Sequence, residues 1–142
     1  MSQSNERAEQ MIALTARLTA LLAKEAAAFE ARRAHEAAGL SEETARLANL
    51  YRHESARIKA DPSLIAGAST AIRGRLIQAT EAFEAVLARH GRALSAAKTV
   101  TEGLVRAIAE EVAATRRARS PYRSNARAAE ADASAIALNQ RA

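Results

Sequence analysis

Cysteine and tryptophan are absent from this chain of 142 residues, and proline, phenylalanine and tyrosine occur twice each. Without cysteine there is no disulfide, no thiolate metal site and no cysteine nucleophile. Strands draw on aromatic and β-branched residues, so a chain this poor in aromatics argues against a β-rich fold. The five glycines stand alone, and no glycine loop exists to cradle a phosphate. No apolar run approaches the roughly 18 residues of a membrane span, because charges interrupt every candidate. The opening residues, Met1 to Arg7, lack the basic-then-apolar order of a signal peptide, and a cytoplasmic location is expected.

Alanine fills the space left by these absences, with 39 copies. It is the best helix former, and the chain reads as all-α. Larger apolar residues are few, so a thin core spread along helices is expected. A single domain of this kind gains stability from covering a face with a partner. The net charge of +5 is unevenly placed: residues 1–115 hold 15 basic and 14 acidic groups, whereas residues 116–142 hold six arginines against Glu130 and Asp132. The cluster Arg116, Arg117, Arg119, Arg123 and Arg127 suits nonspecific nucleic-acid binding by counterion release. Tyr122 is the lone aromatic beside it and no nucleic-acid-binding motif frames it, so nucleic acid is not the expected partner.

Periodicity predicts three helices. The first spans about 5–38, with Met11, Ile12, Leu14, Leu18, Leu21, Leu22 and Phe29 on one broad stripe. Gly39 is expected to stop it and Ser41 to cap the next helix, which runs over 42–60 with Leu47, Leu50, Tyr51 and Ile58 on one face. Asp61-Pro62 ends that helix, or starts a further one with Pro62 in its first turn. The third helix covers 68–118, about fifty residues and roughly 75 Å. Two heptad rows run along it: Leu76, Phe83, His90, Ala97, Leu104 and Thr80, Leu87, Leu94, Thr101, Ile108. The expected architecture is an antiparallel helical hairpin or three-helix bundle with one long C-terminal helix, its first and third helices antiparallel. His90-Gly91 is the expected kink, or a break into four helices. Residues 1–118 form the bundle, and residues 119–142, with few large apolar side chains, read as a flexible basic tail.

No catalytic constellation stands out. His35, His53 and His90 have no metal-ligand spacing, and the carboxylate pairs 42/43, 81/84 and 110/111 read as solvated helix faces. His90 falls on an apolar row and reads as a hydrogen-bonded polar residue at a seam. No enzymatic step, metal or cofactor is expected.

Three segments carry a resemblance: Leu-Thr-Ala-Arg-Leu-Thr-Ala-Leu-Leu at 14–22, Glu-Glu-Thr-Ala-Arg-Leu-Ala-Asn-Leu-Tyr at 42–51, and above all residues 94–112 followed by Tyr122. Over about residues 8–122 the chain resembles FlgN-type flagellar type III export chaperones in their alphaproteobacterial form. It departs from that pattern at His90-Gly91 and at Arg123. The resemblance implies a small cytosolic helical protein that holds hook–filament junction subunits before secretion, with no cofactor. It also implies a docking role for Tyr122 at the cytoplasmic part of the export gate. The alternative for Tyr122 is that it folds back on Val112 or caps the helix end.

From helical geometry, Leu94, Leu104, Val105, Ile108 and Val112 form one stripe with Val100 at its edge. Two shorter helices are not long enough to cover it, so it is the expected client-binding face. The alternatives are ordinary core, or a homodimer in which two copies cover each other. At the level of function, the competing classes are a helical adaptor or scaffold for another protein partner and, last, a basic nucleic-acid-binding bundle.

Overall fold

The computed structural model describes residues 3–119, all but a few of which are helical. Four helices follow in order: α1 (Gln3–Glu30), α2 (Ala34–Ala60), the single turn α3 (Ser63–Ala66) and α4 (Thr70–Arg119). The chain forms two compact units, one reaching to Thr99 and the other beginning at Val100.

In the first unit α1 and α2 form an antiparallel hairpin. Arg7, near the start of α1, lies 3.9 Å from Glu54 far along α2, whereas Arg17 and Glu25, later in α1, pair with Glu43 and Thr44 nearer the start of α2. The N-terminal part of α4 runs beside α1 in the same direction. Asn5 Oδ1 accepts from the Ser69 amide at 2.9 Å, while Glu25 and Glu30 bind His90 and Arg89. The expected antiparallel pairing of the first and last long helices is therefore corrected. Each of the two tight reversals inverts the chain, and two inversions restore its direction.

The core is small, as the composition required. Leu18, Leu21, Leu22 and Leu47 form its centre, with Leu14, Leu40, Tyr51, Phe83 and Val86 packed around them. Alanines 8, 26, 28, 37, 68 and 93 are buried as well. Thr15 is fully buried because its hydroxyl donates to the Met11 carbonyl at 2.7 Å, one turn back, leaving no unpaired polar atom. The Tyr51 and Phe83 rings stack at a tilt of 34° with centroids 4.8 Å apart. On α2, however, Leu50 is exposed although it shares the apolar spacing of Leu47.

The first reversal falls earlier than glycine chemistry suggested. Helix α1 stops at Glu30, and Gly39 and Ser41 lie inside α2. The turn residue is Arg32, in the left-handed region at φ 60°. Its amide donates to Phe29 O at 3.1 Å and the Arg33 amide to Ala28 O at 2.8 Å, which closes the free carbonyls of the last turn. An arginine there costs about 1–2 kcal/mol of local strain. Turning here starts α2 early enough to bring Leu40, Thr44 and Leu47 opposite α1, and their burial outweighs that cost. Ser41 Oγ, no longer at a helix start, donates back to Ala38 O at 2.8 Å.

The second reversal takes the alternative form of the Asp61-Pro62 reading. Asp61 Oδ1 accepts from the Ser63 amide at 3.2 Å and from its hydroxyl, opening α3 just after Pro62. Gly67 lies against the start of α1, where a Cβ would stand 3.1 Å from Ser4 Oγ. Ser69 then caps α4 by accepting from the Ile72 amide at 3.2 Å. α4 continues through His90-Gly91 without interruption, so the break into four helices at this point does not occur.

Candidate functional site

Helix α4 has 50 residues, whereas α1 and α2 have 28 and 27. All described side chains of the second unit, Val100–Arg119, are exposed. Val100, Leu104, Val105, Ile108 and Val112 are among them, from 46% exposed at Val112 to 61% at Val105. Along a helix of 3.6 residues per turn the last four share one face, with Val100 at its margin. Leu94 is exposed as well and belongs to the first unit. The ordinary-core reading of these six side chains is thus corrected, since none of them is buried. Arg116, Arg117 and Arg119 occupy the last turn of α4, where positive charge complements the helix dipole. Tyr122 and the tail from 120 on lie outside the described residues.

A second constellation sits in the first unit, where three helices meet at polar residues. Glu25 from α1 and Thr44 from α2 are buried, and His90 from α4 is nearly so, its side chain 15% exposed. Thr44 donates its hydroxyl to one Glu25 oxygen, and His90 Nε2 lies 3.1 Å from the other. A carboxylate only accepts, so the imidazole presents Nε2–H to it. The ring of Phe29 meets His90 edge-on, at 81° and 5.9 Å between centroids. Arg89, next to His90 in sequence, donates two hydrogen bonds to Glu30, at 3.0 and 2.6 Å. That fork holds the exposed Glu30 carboxyl below its usual range and raises Arg89.

The seam reading of His90 is confirmed, but Glu25 and Thr44 went unnoticed in the sequence. A signal was present. Glu25 lies seven, four and three residues after Leu18, Leu21 and Leu22, a charged residue in the middle of the apolar stripe. Thr44 likewise falls four after Leu40 and three before Leu47. A third feature is a shallow groove in the α1–α2 hairpin, lined by Met11, Leu14, Leu50 and Ile58 and edged by Arg7 and Glu54. Among the described residues no group of three acidic or histidine side chains is placed to hold a metal ion. No described helix is long and apolar enough to cross a membrane.

These features define a small all-α bundle with a long helix that carries a bare apolar stripe. The chain is 59% identical over 115 residues to the flagellar basal-body protein FlbY of Caulobacter vibrioides, covering 81% of this chain and 77% of that protein. It belongs to the FlbY family. No family model and no solved structure matches the chain.

Proposed function

We propose that this protein is a flagellar export chaperone that holds hook–filament junction subunits before they pass through the type III apparatus. Kinship with a protein named for the flagellar basal body supports the flagellar setting. The observation that carries the reading is the apolar stripe Val100, Leu104, Val105, Ile108 and Val112, exposed along a charged, alanine-rich helix. Apolar surface in water is unfavourable by roughly 25 cal/mol per Å², so a stripe of this kind gains from an amphipathic partner. A client helix laid along it would be covered in turn, as in helix-in-groove recognition. Valine and alanine offer modest area, which suits a grip that must later be released. Tyr122 would serve as an anchor to the export gate, a role that rests on the resemblance alone.

Val105→Asp tests the stripe directly. Because Val105 is exposed, helicity should persist while capture of hook–filament junction subunits from motile cells is lost. Normal capture by this variant would place the client elsewhere. The heptad rows also fit a two-copy arrangement. If Val105→Asp halves the sedimenting mass and leaves capture intact, the stripe closes a dimer instead.

A further inference from the structure

The Glu25–Thr44–His90 cluster has no part in the client reading, yet three helices each contribute a polar side chain to it. Burying a carboxylate among leucines is costly, and an apolar trio of similar size would pack at least as favourably. What the cluster provides is position. Helix α4 is built on a heptad repeat, and positions seven apart present similar apolar faces to α1 and α2: Leu76, Phe83 and Ala97 on one row, Val86 and Ala93 on another. Between the present register and one displaced by a heptad, about 10 Å along the axis, apolar packing distinguishes chiefly through the Phe83 ring on Tyr51, and the polar cluster through a buried hydrogen bond. His90 is the one histidine on its row, and only in the present register does an imidazole reach Glu25 Oε1.

We infer that the Glu25–Thr44–His90 cluster is the register lock of the bundle, selecting one axial setting of α4 against the α1–α2 hairpin. A displaced α4 leaves the Glu25 oxygen facing Phe83 or Ala97, neither of which can donate to it. A buried acceptor without its donor penalises the displaced setting, beyond the loss of the Tyr51–Phe83 stack. This is the use of a polar core residue best attested in coiled coils, where one polar position fixes register at some expense of stability. A rival restraint exists at the other end of α4, where the 61–69 connection is tied to α1 through Ser69–Asn5 and the Gly67–Ser4 approach. The lock and the connection make different predictions when the histidine is moved.

The chain has no cysteine, so two introduced cysteines are its sole thiols. Glu30→Cys with Arg89→Cys reports the present register to a short thiol–thiol crosslinker, and Glu30→Cys with Ala96→Cys reports the setting one heptad on. Both pairs remove the Glu30–Arg89 bridge equally, which isolates the cluster. With the cluster intact, the 30–89 pair should crosslink and the 30–96 pair should not. In the Glu25→Leu/His90→Leu background Thr44 can turn its hydroxyl to Leu40 O, 3.0 Å away, and stays paired. There the ratio of 30–96 to 30–89 product should rise roughly tenfold with helicity retained. An unchanged ratio would mean that apolar packing or the connection sets the register, and the inference fails. Should the double leucine variant not fold, exchanging the two residues decides the matter: His90→Ala with Ala97→His keeps the composition and moves the imidazole one heptad. The 30–96 pair should then become the main product. Dominance of 30–89 in that folded variant would overturn the inference in favour of the connection.

Discussion

The two parts of α4 share a rhythm and differ in everything that packing decides. From Thr70 to Thr99 the helix gives Phe83, Val86, His90 and Ala93 to a bundle, with the ring of Tyr51 against Phe83 and the carboxylate of Glu25 against His90. From Val100 to Arg119 the same heptad spacing continues through Leu104 and Ile108, and every described side chain is exposed. An apolar stripe is thus a capacity for contact and not a contact. Whether it becomes core depends on what the rest of the chain can bring to it, and α1 and α2 are each only a little over half the length of α4. The polar content differs as well. In the first part a histidine on the stripe has its partners supplied; in the second, Thr101 and Glu111 interrupt the stripe without being buried.

The contrast between packed bundle and bare stripe is sharpest when one leucine of each is cut back, Leu18 of α1 and Leu104 of α4. Leu18→Ala removes a side chain that is 1% exposed, and should lower unfolding stability by about 3 kcal/mol, within the range for a buried leucine. Leu104→Ala, at 60% exposed, should change it by less than about 0.5 kcal/mol. Urea unfolding followed by circular dichroism measures both, and comparable losses would mean that the second stripe is buried in solution.

A smaller effect separates the parts through their glycines. Gly91 and Gly103 are helical, and an added Cβ would meet nothing within 4 Å at either. Alanine should therefore favour helix by up to about 1 kcal/mol at each site. At Gly91 the gain belongs to the packed bundle and should raise the global unfolding midpoint. At Gly103 it should appear instead as slowed amide exchange within 100–119, with the midpoint unmoved. A midpoint raised equally by both substitutions would break the comparison.

The smallest effect is electrostatic. Arg89 lowers the Glu30 pKa in the fold, so this pair adds stability above the unfolded glutamate value of about 4.3 and loses it as pH falls through the lower folded value. Both side chains are well exposed, so the increment is small and screened by salt. Thermal midpoints of the wild type and Glu30→Gln should differ slightly at neutral pH in low salt and converge under acid. A difference that persists under acid would assign the effect to packing of the side chain.

Much of this architecture was legible because it is local. Alanine content, the stripe of Met11, Leu18, Leu21 and Leu22, the stop at Asp61-Pro62 and the length of α4 each follow from propensity and periodicity over a few turns. The stripe at 94–112 was legible for the same reason, down to the expectation that two shorter helices would leave it bare. Glu25 and Thr44 were harder, because a polar residue in an apolar stripe declares a need for a partner without saying where the partner is.

What the amino-acid order determined alone is therefore the set of helices, their apolar faces and the surplus length of the last one, all properties of neighbours within about four residues. Only the tertiary structure decided that the chain turns at Arg32 and not at Gly39, because the energy that pays for a strained arginine comes from burying Leu40, Thr44 and Leu47 against a different helix. It also decided that α1 and α4 run in the same direction, and that Glu25, Thr44 and His90, up to 65 residues apart in sequence, become one hydrogen-bonded group. These outcomes depend on contacts between distant segments, whose energies no local pattern contains.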